Sequence, residues 1–179
     1  RSIMLQLVNS DDPILKEKTE PYDFDGQLAT RNARQLAEDL ADVMIDQHGV
    51  GLAAPQVGIP LSVFVVGDPA NKDSIMAFFN PKIVDMSMEQ EYYQEGCLSF
   101  PGLFVSIKRP KMIRLRFTDM NNETTTTKYT GFTARAIQHE YDHLEGTIFT
   151  KKATSYHLER AKKAQKIYQR RIKESIVNG

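Results

Sequence analysis

Apolar residues recur at helical spacing between Gln27 and His48, at Leu28, Ala33, Leu36, Ala37, Leu40, Val43 and Met44, while Asp39, Asp42 and Asp46 fall on other faces. This pattern predicts an amphipathic helix of about five turns. The period then changes. Ser62-Val63-Phe64-Val65-Val66 is β-branched and aromatic, reads as a buried strand, and ends at Gly67-Asp68-Pro69. Ile75 to Val84 is a second apolar run, in which Pro81 favours an edge strand or a bulge. Glu89 to Gln94, Leu103 to Ile107, Met112 to Phe117 and Thr124 to Tyr129 complete the strand predictions. In Met112–Phe117, Ile113, Leu115 and Phe117 alternate with Arg114 and Arg116, as in a half-solvated antiparallel strand. A helix is expected around His139, with Thr130-Gly131 as its start signal and Gly146 as its stop. Residues 1–26 read as an extended lead-in, because Asp12-Pro13 and Glu20-Pro21 argue against helix. About Ser155 to Ile176 is helical, with a weak stripe of Leu158, Ala161, Tyr168, Ile172 and Ile176. The expected class is α+β: short antiparallel strands around the central helix at His139, with a long helix in the N-terminal half and another at the C-terminus.

With 179 residues, 41% of them hydrophobic and 26% charged, the chain has the composition of an ordinary globular protein, long enough for a sizeable core. No apolar run approaches the ~20 residues that span a bilayer, and the first residues, which open on Arg1, lack a signal-peptide pattern. Neither membrane nor DNA is an expected partner. The single cysteine, Cys97, excludes an intrachain disulfide, fits a reducing compartment, and is either a small buried hydrophobe or a candidate ligand. Charge is unevenly spread. Residues 1–150 hold 14 Lys and Arg against 21 Asp and Glu, whereas residues 151–179 hold 9 against 2. The expected division is a main domain over 1–154 and a basic helix over 155–179 attached to it. That helix has either a solvated face or an anionic neighbour.

The candidate chemistry sits in Gln138-His139-Glu140-Tyr141-Asp142-His143. On a helix, residues four apart differ by about 40° of rotation and about 6 Å of rise. His139 and His143 therefore share a face and could grip one metal ion, with Glu140 on its flank as a base. A catalytic site of this kind uses a third protein ligand. Cys97 is the conspicuous soft donor, framed by Gly96 and Gly102. Gln56 is the only long polar side chain in the small-residue run Gly49-Val50-Gly51-Leu52-Ala53-Ala54-Pro55-Gln56; buried there, its amide would need partners or await a ligand.

Three segments, Gly49–Gln56, Glu95-Gly96-Cys97-Leu98-Ser99 and Gln138–His143, together resemble the three signature motifs of peptide deformylases, in order and at fitting separations. The resemblance spans about residues 7 to 150. It implies that Cys97, His139 and His143 hold one divalent metal ion per chain, with water as a fourth ligand. Fe²⁺ would be the physiological ion, and Zn²⁺, Ni²⁺ or Co²⁺ could substitute. It implies that Glu140 moves the proton of the attacking water, and that the Gln56 side chain and the Leu98 backbone N–H steady the tetrahedral intermediate. Val50, Gly51 and Gly96 would pair with an extended substrate, and Tyr93, Phe132 and Ala136 would help line the methionine pocket. The substrate would be the N-formyl-methionyl end of a nascent polypeptide, the product formate, and the setting the cytoplasm or an organelle matrix. In that setting the basic helix faces ribosomal RNA as a candidate partner.

Two departures stand out. Arg135 occupies a place where the family often has an apolar residue, and is expected either to point to solvent or to alter the pocket rim. Phe104 stands where some bacterial members carry an Arg that contacts substrate. Arg109 is either an ordinary surface charge or a partner of Glu95 that supports the ligands. The rival readings are a zinc peptidase, which would not need Cys97, and a non-catalytic relative that binds nascent chains.

Overall fold

The computed structural model describes residues 4–26 and 32–178. Its elements in chain order are α1 (Ala33–Asp46), β1 (Gly51–Ala53), β2 (Val63–Val66), β3 (Met76–Met86), β4 (Gln90–Cys97), β5 (Phe100–Pro110), β6 (Met112–Thr118), β7 (Thr124–Thr130), α2 (Gly131–Leu144) and α3 (Ser155–Asn178). Five strands form one antiparallel sheet in the order β1-β2-β3-β6-β7, and β4 and β5 form a separate two-stranded hairpin. The class is α+β.

β2 explains why the large sheet takes a helix on each face. Successive strand side chains point to opposite faces, and all four residues of β2 are buried. Val63 and Val65 join Ala77 and Phe79 of β3 in a core with Leu36, Leu40 and Met44 of α1. Phe64 and Val66 join Phe78, Ile113 and Leu115 in a second core with Ala134, Ile137 and Leu144 of α2. A third core lies under the hairpin, where Leu103, Val105 and Ile107 of β5 meet Ile148, Phe149 and Ala161.

Local details refine the sequence expectations. α1 starts at Ala33, where the Asn32 side chain caps it by accepting from the Gln35 backbone N–H at 2.8 Å. Gln27 and Leu28, the expected first turn, lie outside the described residues. The helix ends at Asp46 rather than His48, which has a positive φ of 57°. Of the two readings of Pro81, the bulge is correct. β3 lies inside the sheet between β2 and β6, and its register shifts between Phe79 and Lys82. Among its described residues the lead-in lacks an α-helix but holds a 3-10 turn at Pro13–Lys16, with Asp12 as its cap. Proline is tolerated there because the first N–H of a helical turn has no partner to lose. α2 ends at Leu144, and Gly146, the expected stop signal just beyond it, takes φ 73° against the Lys16 carbonyl; a Cβ there would sit 2.7 Å from that oxygen. The stripe on α3 is shorter than expected. Ala161 is buried and Leu158 packs against the third core, but Tyr168, Ile172 and Ile176 are exposed. Among the described residues, no helix is long and apolar enough to cross a membrane.

Candidate active site

α2 carries two working faces. Ala134, Ile137 and Leu144 go to the large sheet. Arg135, His139 and His143, four residues apart, form a row on another side. The hairpin brings Cys97, at the end of β4, to this row. Cys97 Sγ lies 3.3 Å from His143 Nε2. The donor atoms of Cys97, His139 and His143 all fall within 4.8 Å of one another.

The surroundings orient these groups. His139 Nδ1 is 3.0 Å from Glu95 Oε1, which leaves Nε2 for the cluster. Arg109 donates to both Glu95 oxygens, from Nε to Oε2 at 2.5 Å and from Nη2 to Oε1 at 2.9 Å, and its Nη1 reaches Asp142 Oδ2 at 2.9 Å. Arg109 is buried, so it is no surface charge. Arg135 is buried as well and does not point to solvent. It donates to Glu95 Oε2 at 2.6 Å, to the Ile107 carbonyl at 2.9 Å and to the Glu91 carbonyl at 2.7 Å. Burial raises the Glu95 pKa, but hydrogen bonds from His139 and Arg109 outweigh it and hold the carboxyl at about 2. Burial lowers the pKa of His139, yet its bonds to Cys97 and Glu95 carry it up to about 10. A cation would have to displace that proton. His143 is shifted well down, by burial and then by the charges of His139 and Arg109, and so offers a neutral imidazole.

Glu140 is buried beside this cluster, and burial pushes its carboxyl up to about 7 against the opposing charge of His139. Its Oε1 and the Nδ1 of His143 are buried with no hydrogen-bond partner among the described residues. Gly51 lets the carboxylate lie there, because a Cβ at Gly51 would sit 2.6 Å from Glu140 Oε2. Gln56 is buried in the 3-10 turn Ala54–Val57. Its Oε1 accepts from the Ala53 N–H at 2.9 Å, fixing the amide so that Nε2 lies 3.0 Å from Ser99 Oγ and 3.5 Å from Cys97 Sγ. The donor set suits a divalent cation of borderline softness: one thiolate sulfur, two imidazole nitrogens, and a carboxylate on His139 as outer support.

A cleft of about 470 Å³ opens onto the cluster. Val50, Gly51, Gly96, Leu98, Phe132 and Ala136 line it. Tyr93 is not among the lining residues. It is exposed on β4, with its ring 6.3 Å from that of Phe132 and 5.8 Å from the Arg135 guanidinium. Arg135 is in the lining, and so is the segment Phe100–Phe104, of which the sequence singles out only Gly102, as a frame of the Cys97 loop, and Phe104. The five residues follow the Cys97 motif directly, and β4–β5 pairing folds them back beside it, Gly96 opposite Phe104. Asp142 was also missed, although its place in the His139 motif puts it one turn from the ligand row.

A family model described as polypeptide deformylase matches residues 4–159. A peptide deformylase of Christiangramia forsetii is 36% identical over 167 residues, covering 86% of this chain and 83% of that protein. Among solved structures, a plant peptide deformylase superposes with a TM-score of 0.82 at 32% identity, covering 98% of this chain and 94% of that one. The Plasmodium falciparum peptide deformylase gives 0.81 at 30% identity, covering 94% and 98%. With the three motifs converging on one cleft and the match running through nearly the whole fold, this chain belongs to the polypeptide deformylase family.

Proposed function

We infer that this chain is a metal-dependent hydrolase that removes the N-formyl group from the N-terminal methionine of nascent polypeptides and releases formate. The observation that carries the reading is the Cys97, His139 and His143 cluster, which meets the cleft through Cys97 and His139, with the buried Glu140 beside it.

Cys97, His139 and His143 are the ligands in this reading, and Fe²⁺ is the ion in the cell, with Zn²⁺, Ni²⁺ or Co²⁺ able to replace it. The bound cation supplies Lewis-acid activation of water and of the formyl oxygen. The chain's own residues do the rest. Glu140 accepts a proton as water attacks the formyl carbon, then delivers it to the amine as the C–N bond breaks. A carboxyl held near neutrality by burial is suited to both halves of that task. Gln56 Nε2 and the Leu98 N–H donate to the oxygen on which negative charge develops, and the Ala53 bond holds the Gln56 amide preorganised for it. Among the described residues, β1 is the edge of the five-stranded sheet and β4 pairs with β5 alone. Val50 and Gly51 on one bank and Gly96 on the other offer backbone groups to an extended peptide, as in strand addition. Phe132 and Ala136, with Tyr93 behind Phe132, bracket the methionine side chain.

The substrate places the protein where translation products emerge, in the cytoplasm or an organelle matrix. The exposed Lys162, Lys163, Lys166, Arg170, Arg171 and Lys173 of α3 would meet phosphate-rich ribosomal RNA there. The decisive experiment is turnover of formyl-Met-Ala-Ser by the metal-loaded protein, followed by formate release. Activity lost on chelation and restored by Fe²⁺ or Co²⁺ is expected; a protein that binds metal and releases no formate would overturn the reading. Cys97→Ser separates it from a zinc peptidase, since loss of metal is expected here and a peptidase would not need that thiol.

A further inference from the structure

The metal ligands come from two pieces of the fold that share little apolar packing. His139 and His143 sit on α2, whose apolar face belongs to the core under the large sheet. Cys97 sits on the β4–β5 hairpin, whose core is a different one. The seam between them is held by polar bonds. Gln138 Nε2 donates to the Pro110 carbonyl, Arg109 of β5 reaches Asp142 of α2, and Arg135 of α2 reaches across to both hairpin strands. Arg135 has the widest span. One guanidinium nitrogen bonds Glu95 Oε2 and the Ile107 carbonyl, and the other bonds the Glu91 carbonyl. Glu95 in turn faces the His139 ring.

We propose that Arg135 is a positioning residue for the metal centre, pinning the hairpin that carries Cys97 and Glu95 to the helix that carries His139 and His143. The proposal rests on the reading of those side chains as ligands. Arg109 alone already satisfies both Glu95 oxygens as a fork, so Arg135 is not needed to neutralise the carboxylate. What Arg135 adds is the anchor to two backbone carbonyls, which a residue serving only charge balance would not make. Its place follows from helical period: it lies one turn before His139, in the same row. Because it also lines the cleft, the substrate pocket and the ligand scaffold share this side chain.

The test is the rate at which the Co²⁺-loaded protein gives up its metal to excess EDTA. Supporting groups around ligands are typically worth ten- to a hundredfold in metal affinity. Arg135→Met should therefore release Co²⁺ about tenfold faster or more. Arg135→Lys keeps the charge without the planar fork and should fall between the two. Leu40→Ala, in the α1 core, weakens the fold at a side chain that neither lines the cleft nor takes part in the seam bonds, and should release metal at the wild-type rate. Arg135→Met releasing metal at the wild-type rate would overturn the proposal, as would an equal acceleration by Leu40→Ala. If Arg135→Met does not fold, Arg135→Lys decides alone: faster release supports the pin, and unchanged release rejects it. Failure of the wild-type protein to bind Co²⁺ at all would remove the ligand reading itself, and this proposal with it.

Discussion

At the residue scale, the site depends on atoms held close to one another. Glu140 is not needed as a ligand, so Glu140→Gln should keep its metal and lose turnover by about a hundredfold or more, the usual worth of general acid–base catalysis. Metal content and formate release measured on one preparation check this, and near-full activity in the loaded variant would remove Glu140 from the mechanism. Gly51 is held to its identity by the same carboxylate. Gly51→Ala would place a methyl 2.6 Å from Glu140 Oε2, so the carboxylate or the edge strand must shift. Displacing a reacting group by about 1 Å can cost a hundredfold in rate, so kcat/KM should fall by roughly ten- to a hundredfold. The measurement is steady-state kinetics beside a thermal melt, with Tm expected to change little relative to kcat/KM.

At the scale of elements, α3 has two unlike halves. Its first turns belong to the third core through Leu158 and Ala161, and Gln165 Nε2 donates to the Pro101 carbonyl at 3.1 Å. Tyr168 covers Gly102, where a Cβ would come within 2.9 Å of its ring. Beyond Tyr168 the helix is exposed. A chain ending near Thr154 should consequently lose stability by roughly 1.5–3 kcal/mol, the order of one Leu side chain's burial, because Leu158 and Ala161 leave the third core, and should disturb the Phe100–Phe104 wall of the cleft. A chain ending after Gln169 should melt like the full protein and turn over formyl-Met-Ala-Ser normally. Thermal melts and kinetics on both truncations check this. Equal stability of the two would mean that the first half of α3 contributes no packing.

For the whole molecule, the separation of charge matters more than its zero net value. The terminal segment from 151 carries 9 basic residues against 2 acidic ones, and the remainder carries an acidic excess. Replacing Lys162, Lys163, Lys166, Arg170, Arg171 and Lys173 with Gln leaves the packed face of α3 untouched. Co-sedimentation with ribosomes across a salt series should then show weaker binding and a shallower salt dependence for the variant, because fewer phosphate counterions are released. Equal, salt-insensitive binding by both proteins would exclude the contact, while turnover of short formyl-peptides should match in either case.

The sequence by itself determined the buried strand β2, the helix around His139, and the pairing of His139 with His143. The first depends on a short β-branched and aromatic run and the other two on a period of 3.6 residues, and none needs a partner to be read. The three motifs together also made the family legible. Only tertiary structure decided how Cys97 approaches that helix, because a hairpin turn and pairing across β4 and β5 bring it there. The same holds for Arg135 and Arg109. Nothing in their local sequence distinguishes a buried guanidinium from a solvated one; the outcome depends on whether Glu95 and the Glu91 and Ile107 carbonyls come within hydrogen-bonding reach. Pro81 shows the same division, since its sequence allowed an edge or a bulge, and strand order alone chose the bulge. Local periodicity is a property of neighbouring residues, whereas burial of a charge depends on partners far away in the chain, which only the folded molecule brings together.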